Sequence, residues 1–305
     1  MTRINFYSGA EIDRAGPLRR DDGWVEEKLA SPAARVLPLW REKNFVSFFD
    51  QGAETPRIAW LTVADAHALA QGSPDFLLLG EKDGVPYFAI DLSHIEDPDA
   101  AAPHGAFVGL RDVGGSLDQA EGALLSYAKG LIHWHDRHPF CARCGVETEA
   151  RDAGHVRVCV NPDCGASHFP RTDPAVIMLV HKGDRCVLAH NRRNPLPMYS
   201  TLAGFVEPGE SLEEAVAREV LEEVGITVGR VRYHSSQPWP FPGNIMLGFH
   251  AEAESTEIVI EEAELAEARW FDREEIAEAP QTGLKLSRSE SISRRLIDDW
   301  ANGAV

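Results

Sequence analysis

The sequence predicts an α/β protein with three parts: a β-rich mixed α+β domain, a small cysteine-rich ribbon, and a C-terminal α/β/α sandwich around a mixed sheet. Three observations lead to this prediction. Strand-like apolar runs fill the first part, four cysteines cluster in the second, and strand-like and helical patterns alternate in the third. The 305 residues suffice for more than one core. We place the domains at 1–135, 136–169 and 170–305.

The first domain carries five strand-like runs and one helical segment. The runs are RVLPLW, FVSFF, RIAWLTV, FLLLGE and PYFAIDL. The closing segment has apolar residues at helical spacing, namely Leu117, Ala120, Leu124, Ala128 and Leu131. We detect no internal repeat in the chain and no obvious catalytic constellation in this domain. The sequence therefore predicts a fold class for this domain but no function.

Four of the five cysteines fall in one short segment, at Cys141, Cys144, Cys159 and Cys164. Two such knuckles can place four thiolates tetrahedrally around one Zn²⁺, and with no ligand position left open, we predict a structural zinc. Two disulfides or reduced core cysteines are the alternatives, and the lack of an export signal disfavours disulfides. The remaining cysteine, Cys186, is expected in the core, with a reactive thiol as its alternative.

The C-terminal domain is a series of predicted strands around one acidic helix. DPAVIMLVHKGDRCVLAHN predicts a β-hairpin that turns at Lys182, Gly183 and Asp184, and TLAGFV predicts the next strand. Strands are also predicted at GRVRYHSSQPW and IMLGFHAEA. For Glu264 in EEAELAEARWFDREEI, a solvated glutamate on a helix is one interpretation, and SISRRLIDDW predicts the last helix.

The acidic helix follows from GFVEPGESLEEAVAREVLEEVGI, in which Ser211 is placed to cap the helix and Gly225 to end it. Glu219, Glu222 and Glu223 stand at i, i+3 and i+4, so they share one face of the helix. A solvated acidic face is the simple interpretation.

The residues around this helix argue against a purely solvated face. Gly204, Glu210, Arg218 and Gly225, together with the three glutamates, match the pattern G-x5-E-x7-R-E-U-x-E-E-x-G-U at every fixed position. The sequence thus resembles the Nudix hydrolases. The resemblance implies that loop and helix hold one to three divalent cations, Mg²⁺ or Mn²⁺, against a nucleoside diphosphate whose pyrophosphate is cleaved by water.

A second motif, SQPWPFPGNIM, selects a branch of this family. It resembles the S-Q-P-W-P-F-P-x-S array of NADH pyrophosphatases, as do the cysteine ribbon and HFPRTDPAVIM, and Asn244 replaces the final serine. Three prolines stiffen the backbone around Trp239 and Phe241, which suits stacking on a base or nicotinamide ring, and Gln237 belongs to the same array. A rigid loop that packs its own aromatic residues is the alternative.

The resemblance implies roles for individual residues. Glu219, Glu222 and Glu223 would bind the metal ions, with Glu223 as general base. A further metal-binding glutamate is expected after the later strands, with Glu264 the better match and Glu267 the second.

Other box residues are expected to be structural. Arg218 would fix the box loop by an ion pair, with Glu210 as the expected partner. Gly204 would allow close packing, and Gly225 a left-handed helix terminus.

Two phenylalanines and two arginines complete the set. The positions that match Phe169 and Phe205 line the nicotinamide end in related enzymes, and Phe205 would reach across a homodimer; plain core packing is the alternative. Arg192 and Arg193 are expected as solvated loop charges.

The implied reaction is hydrolysis of NADH or NAD to NMNH or NMN plus AMP. Removal of an NAD cap from RNA 5′ ends, a broader ADP-ribose or dinucleoside polyphosphate hydrolase, and a non-catalytic nucleotide sensor are the alternatives. The net charge of −18 argues against a large nucleic-acid surface. No run suits a membrane span or a secretory signal, so we expect a cytoplasmic protein.

Overall fold

The computed structural model describes residues 4–48, 55–98, 105–194 and 197–304. They form two compact units. The N-terminal unit comprises residues 7–172 with 240–243, and the C-terminal unit comprises residues 4–6, 173–239 and 244–304. The predicted boundaries at residues 135 and 169 stay predictions. No helix in these described ranges is long and apolar enough to cross a membrane.

A six-stranded sheet forms the core of the N-terminal unit. Its elements are α1 (Asp22–Leu29), β1 (Arg35–Trp40), β2 (Lys43–Ser47), β3 (Arg57–Ile58), α2 (Val63–Ala70), β4 (Leu77–Lys82), β5 (Val85–Asp91), β6 (Ala106–Gly109), α3 (Leu110–Val113) and α4 (Gln119–Arg137). The strand order is β3-β2-β1-β5-β4, and β6 also pairs with β2. Only the central pair, β1 and β5, is parallel among these described strands. The mixed α+β prediction is confirmed.

One predicted run in this unit is shorter than expected. RIAWLTV forms a strand only at Arg57–Ile58, and α2 begins at Val63. The cause is a capping box, because the Thr62 hydroxyl accepts from the Asp65 backbone N–H and the Asp65 carboxylate accepts from the Thr62 backbone. The local cap therefore ends the extended run early.

The cysteine segment forms a small antiparallel sheet of its own. Its strands are β7 (Thr148–Arg151), β8 (Val156–Cys159) and β9 (Ser167–His168), in the order β7-β8-β9. Cys141 and Cys144 precede β7, Cys159 ends β8, and Cys164 lies in the turn between β8 and β9. This is the two-knuckle ribbon that the spacing predicts.

The C-terminal unit is built on a second mixed sheet. Its elements are β10 (Asp173–Lys182), β11 (Arg185–Asn191), β12 (Leu202–Phe205), α5 (Leu212–Val224), β13 (Val228–Trp239), β14 (Asn244–Ala253), β15 (Leu265–Asp272), α6 (Arg273–Ala277), α7 (Ala279–Thr282) and α8 (Ile292–Ala301). The strand order is β13-β14-β10-β11-β15, with β12 on β10 and with β10 parallel to β14. Val216 and Val220 of α5 pack on one face and Leu296 and Trp300 of α8 on the other. The predicted α/β/α sandwich is confirmed.

Two sequence-based expectations need correction. Glu264 does not lie on a helix, because the chain forms strand β15 directly after it and β15 pairs antiparallel with β11. The two sheets also repeat one topology that we did not detect in the sequence. In each, an antiparallel hairpin (β1–β2, β10–β11) supplies a central strand that is parallel to the second strand of a later hairpin (β4–β5, β13–β14). Apolar side chains can be exchanged freely inside such a core, so the repeat leaves little trace in the sequence.

Candidate active site

The acidic helix α5 starts and stops where its sequence predicts. The Ser211 hydroxyl accepts from the Glu214 backbone N–H, and the Glu214 carboxylate accepts from the Ser211 backbone N–H. At the other end Gly225 has φ 69°, a left-handed conformation that favours glycine. These caps fix which side chains face the sheet, namely Ala215, Val216, Val220, Glu223 and Val224, all buried.

Gly204 on β12 provides the space for a carboxylate. A Cβ built at this position would overlap the carboxylate of Glu219 from α5. The backbone of Gly204 has no unusual φ, so the glycine is required by this close approach and not by its conformation. The structure thus supports the prediction that Gly204 allows close packing, and it names the packing partner.

Arg218 organises the loop before α5. Its guanidinium donates five hydrogen bonds: two to Glu210, at 2.6 and 2.9 Å, and one each to Glu219, Glu222 and the Phe205 carbonyl. The Glu210 carboxylate also accepts from the Glu207 backbone N–H. The Arg218 guanidinium and this N–H together lower the pKa of Glu210 to about 2. The expected pair between Arg218 and Glu210 is present, and all donors of the arginine are used.

Glu223 is the most buried carboxylate of the helix, with 6% of its surface exposed. Burial, followed by the charge of Glu219, raises its pKa to about 8, and Glu264 acts in the same direction. Burial also raises the pKa of Glu219, against the opposing effect of Arg218. The buried Glu223 and the half-buried Glu219 are thus carboxylates with raised pKa values, although Arg218 pairs with Glu219. They therefore fit a divalent ion, which takes oxygen ligands.

The structure discriminates between the two candidates for the further glutamate. Glu264 lies close enough to raise the pKa values of Glu219 and Glu223 by charge repulsion. The Glu267 carboxylate instead accepts from the Tyr199 hydroxyl at 2.7 Å. Glu264 is thus the better placed of the two. Glu222 is more peripheral, with its side chain 60% exposed and paired to Arg218.

The described carboxylates of the acidic site do not form a group of three or more whose oxygen atoms all lie within 4.8 Å of one another. Among the described residues, the four cysteines are the only group of three or more potential ligands whose donor atoms all lie within 4.8 Å of one another. The roles of Glu219, Glu222, Glu223 and Glu264 as metal ligands stay predictions.

The proline-rich array is used in different ways along its length. Gln237 is fully buried, and its amide donates to the Phe6 and Glu290 carbonyls and accepts from the Ile292 N–H. This corrects our expectation of a substrate contact, because no donor or acceptor of Gln237 faces solvent; it connects β13 to its neighbours. Trp239 is half-buried against the cluster under α8.

Phe241 and Asn244 occupy different surroundings. Phe241 is half-buried and belongs to the N-terminal unit, where its ring contacts Arg111 and Tyr7. Asn244 begins β14 and pairs with Trp239 across the ladder. Part of the array thus packs its own aromatic rings, as the alternative interpretation expected.

Phe169 and Phe205 are both strongly exposed, at 66% and 56%. Neither is a core residue, so the alternative of plain core packing is wrong for both side chains. Their exposure leaves the roles that the resemblance implies for these two rings as predictions. Arg192 and Arg193 lie in an exposed loop, and the Arg192 backbone N–H donates to the Glu264 carbonyl. Their side chains remain predicted as solvated charges.

The four cysteines meet as the spacing predicts. The Sγ atoms of Cys141 and Cys164 are 3.8 Å apart and those of Cys144 and Cys159 are 3.4 Å apart, without a disulfide. A compact set of four thiols with no fifth position fits a structural zinc. Cys186 is fully buried in the core, and burial raises the pKa of its thiol to about 12, which does not suit a reactive thiol.

The sequence analysis missed one residue beside this site. His168 Nε2 lies 3.3 Å from Cys141 Sγ, where a ring N–H can donate to a thiolate. Its position directly before Phe169, at the end of the cysteine segment, was the available signal. The other missed contact is the Phe205 carbonyl, whose bond to Arg218 no side-chain motif could reveal.

Comparison with known proteins matches three family models to consecutive parts of the chain. Residues 33–134 match the NADH pyrophosphatase-like rudimentary NUDIX domain. Residues 136–169 match the NADH pyrophosphatase zinc ribbon domain. Residues 171–293 match the NUDIX domain. The first of these accounts for the repeated topology of the two sheets.

Similar full-length proteins carry one common description. The NAD-capped RNA hydrolase NudC of Mycobacterium tuberculosis (strain H37Rv) is 44% identical over 75% of this chain and 76% of its own length. NAD-capped RNA hydrolase NUDT12 of Macaca fascicularis is 41% identical over 97% of this chain and 73% of its own. The NudC protein of Stutzerimonas stutzeri is 40% identical over 82% and 83%, respectively. The chain belongs to the Nudix hydrolases, in the NADH pyrophosphatase branch that carries a zinc ribbon.

Proposed function

We propose that this protein hydrolyses the pyrophosphate of NADH or NAD, giving NMNH or NMN and AMP. The observation that carries the proposal is the carboxylate pair of the buried Glu223 and the half-buried Glu219, in which Glu219 lies against Gly204 and accepts from Arg218. Withdrawing carboxylates from water lowers the stability of the fold, and carboxylates with such raised pKa values are typical of functional sites. The NADH pyrophosphatase models support the dinucleotide as substrate.

The protein's own residues supply the proton acceptor and the order of the site. Glu223 takes a proton from the attacking water, whose oxygen forms a bond to phosphorus as the bridging P–O bond breaks. Glu219, Glu222, Glu223 and Glu264 would hold Mg²⁺ or Mn²⁺, whose positive charge would let these carboxylates ionise together and would acidify the water. Arg218 keeps Glu219 and Glu222 in place and does not need to touch the substrate.

The rings of the substrate are assigned to exposed and half-buried aromatic residues. Trp239 and Phe241 alternate with the three prolines of the array, and Phe169 and Phe205 are strongly exposed phenylalanines of the family motifs. Following the family resemblance, we assign Phe169 and Phe205 to the nicotinamide end and propose a homodimer in which Phe205 serves the partner's site.

NAD-capped RNA is a second candidate substrate. All three relatives are NAD-capped RNA hydrolases, which favours this substrate. The pyrophosphate chemistry is identical, so the same carboxylates would act on both substrates. The net charge of −18 favours the free dinucleotide, because an RNA chain adds phosphates that an acidic surface repels.

The test compares the wild-type protein with Glu223→Gln and a matched control, Glu213→Gln, in which the exposed glutamate lies on the first turn of the same helix. Each protein is incubated with NADH, NAD, ADP-ribose, a diadenosine polyphosphate and 5′-NAD RNA, in Mg²⁺ and in Mn²⁺, and the products are identified. We expect NMNH and AMP from NADH, a loss of turnover of roughly 10²–10⁴-fold in Glu223→Gln, and no loss in Glu213→Gln.

Two outcomes would contradict the proposal. Near-normal turnover of Glu223→Gln would show that Glu223 is not the proton acceptor. If ADP-ribose or diadenosine polyphosphate were cleaved with a higher kcat/KM than NADH, the preferred substrate would belong to another class. The ratio of rates for NADH and 5′-NAD RNA at matched salt decides between the two dinucleotide substrates.

A further inference from the structure

The last turn of the acidic helix α5 is bonded to a segment without regular secondary structure, residues 258–261, which we call the strap. The Val259 N–H donates to the Val224 carbonyl at 2.9 Å. The Glu261 N–H donates to the Glu223 carbonyl, also at 2.9 Å. The last carbonyls of a helix have no partner within the helix. The strap therefore supplies donors that α5 lacks, and it belongs to the same compact unit as α5.

Apolar packing holds the strap against this unit. Ile258 and Ile260 pack on the core cluster that contains the buried side chains of α5. Between them, Val259 passes over the end of the helix, where a Cβ added at Gly225 would lie 3.1 Å from the Val259 Cβ. The glycine that ends α5 thus also leaves room for the strap. Packing and backbone hydrogen bonds together fix the strap relative to the helix.

Glu261 ends the strap and begins the turn that carries Glu264. Its carbonyl accepts from the Glu264 N–H at 3.1 Å and from the Leu265 N–H at 2.9 Å. Its carboxylate accepts from the Ala263 N–H at 3.0 Å. A side chain that accepts from the backbone two residues later stabilises a turn locally. Glu261 therefore closes the turn with both its backbone and its side chain.

One residue thus connects two of the predicted metal ligands. Glu261 bonds to the backbone of Glu223 through its N–H and to the backbone of Glu264 through its carbonyl. The Glu264 carbonyl is also held by the Arg192 N–H, at 2.8 Å. Metal ligands must keep their relative positions, and residues that hold the ligands in place contribute about 10- to 100-fold to metal affinity. The backbone of Glu264 is placed for this role by Glu261.

We propose that Glu261 is a positioning residue of the acidic site, which holds Glu264 in a fixed place relative to Glu223 and does not bind the metal itself. This inference rests on the proposed function, because it requires Glu264 to bind the metal ion. The Glu261 side chain is exposed, and its carboxylate is used by the Ala263 N–H. A plain surface charge is the competing interpretation, and it predicts that Glu261 matters no more than its exposed neighbour Glu262.

The experiment compares wild-type protein with Glu261→Ala, Glu261→Gln, Glu261→Asp and the control Glu262→Ala. Alanine removes the acceptor, glutamine keeps an acceptor without the charge, and aspartate keeps both. The control loses the same charge one residue later in the chain. Four quantities are measured: the half-saturating Mg²⁺ concentration and the KM for NADH, Mn²⁺ binding without substrate by electron paramagnetic resonance, amide hydrogen exchange at residues 263–265, and the melting temperature.

We expect Glu261→Ala to raise the half-saturating Mg²⁺ concentration and the Kd for Mn²⁺ by about 10-fold, with KM for NADH and the melting temperature near the wild-type values. Exchange of the Ala263 amide should become faster by up to about 10-fold, because its acceptor is gone. Glu261→Asp should match the wild type, and Glu261→Gln should match Glu262→Ala. In a Glu264→Gln background, Glu261→Ala should weaken metal binding no further, because it acts through Glu264.

Three results would overturn the proposal: metal binding in Glu261→Ala no weaker than in Glu262→Ala, equal weakening by Glu261→Gln and Glu261→Ala, or an undiminished effect in the Glu264→Gln background. If Glu261→Ala is unstable, the wild-type protein decides. Mn²⁺ should then slow amide exchange at Glu264 and Leu265, in the turn that Glu261 closes, and unaltered exchange contradicts the proposal.

Failure of this inference can be told apart from failure of the proposed function. Mn²⁺ binding and amide exchange need no substrate, whereas hydrolysis of NADH by the wild-type protein tests the proposed function. An active, metal-binding enzyme in which Glu261→Ala behaves like Glu262→Ala contradicts only this inference. A wild-type protein that binds no Mn²⁺ contradicts both.

Discussion

The two large sheets follow one hydrogen-bonding plan, yet only one of them carries the acidic site. In both, a central strand pairs in parallel with a later strand and in antiparallel with the strand that follows it. In both, a helix with a capping box follows the first hairpin, at Thr62 with Asp65 and at Ser211 with Glu214. The shared strand pairing and capped helix therefore do not determine whether a unit carries the acidic site.

The difference lies in the chain between the sheet and the capped helix. In the N-terminal unit, Leu61 bridges to Val36 and the next residue, Thr62, already caps α2. In the C-terminal unit, β12 continues to Phe205 and a loop follows before the cap at Ser211. That loop carries Glu210, and α5 has 13 residues where α2 has 8. The site therefore depends on the added loop and the longer helix, which lie against β12 of the sheet.

The two units also treat a buried polar group differently. Lys129 in α4 and His250 in β14 are both 4% exposed. Lys129 donates to Glu42 at 2.9 Å, and Glu42 also contacts His133. Neither ring nitrogen of His250 has a hydrogen-bond partner in the described part of the chain. The buried Lys129 is thus paired with a carboxylate, whereas the buried His250 is neutral. These are the two ways to bury an ionisable side chain.

Gly204→Ala is expected to have the largest effect on the acidic site that distinguishes the two units. The added Cβ overlaps the Glu219 carboxylate, so β12 or Glu219 must move. We expect a loss of kcat/KM of about 10²-fold or more, because a misplaced metal ligand costs most of its contribution. Gly72→Ala is the matched control, since it follows α2 in the other unit and has open space around it. A fully active Gly204→Ala would show that Glu219 needs no fixed place.

A smaller effect is expected for Arg218→Lys, which keeps the charge but loses the planar fork. Lysine cannot bind Glu210 in two places and reach Glu219, Glu222 and the Phe205 carbonyl at once. We expect about 10- to 100-fold lower activity and a higher half-saturating Mg²⁺ concentration, measured by metal titration of the initial rate. Arg230→Lys, on exposed β13, should match the wild type. An unchanged Mg²⁺ dependence in Arg218→Lys would show that the loop before α5 keeps its conformation without the hydrogen bonds of Arg218.

The smallest effect concerns acid stability and His250. Burial lowers its pKa to about 3, from the ordinary 6.5, and the nearby His234, His181 and Arg232 act in the same direction. The opposing charge is Asp299 of α8.

The folded protein therefore holds His250 neutral, whereas the unfolded chain binds a proton below about pH 6.5. Its stabilising effect is complete above that pH and is lost as the pH falls toward 3. We expect the free energy of unfolding of His250→Leu to decline less steeply with acid than that of wild type, by up to about 1.4 kcal/mol per pH unit. Urea titrations between pH 7.5 and 4.5 measure this, with exposed His67→Leu as the control. Parallel curves for wild type and His250→Leu would contradict the assignment.

Local signals carried much of the prediction. The caps of α5, the hairpin at Gly183 and the meeting of the four cysteines all depend on residues close in the sequence, and all are found as expected. The errors concern residues whose environment is supplied from far away. Gln237 matched a motif but is buried by Phe6 and Ile292, and the segment after Glu264 became a strand because β11 offered it a partner.

By itself the sequence determined the acidic helix, its loop, the cysteine ribbon and membership of a fold family, because each rests on the chemistry of residues a few positions apart. Only the tertiary structure decided that Glu223 is buried, that Glu264 and not Glu267 lies near it, and that Phe241 sits between Arg111 and Tyr7. Burial and charge repulsion depend on which segments the fold brings together. No local pattern contains that information, since contacts between distant segments are set by the packing of the whole core.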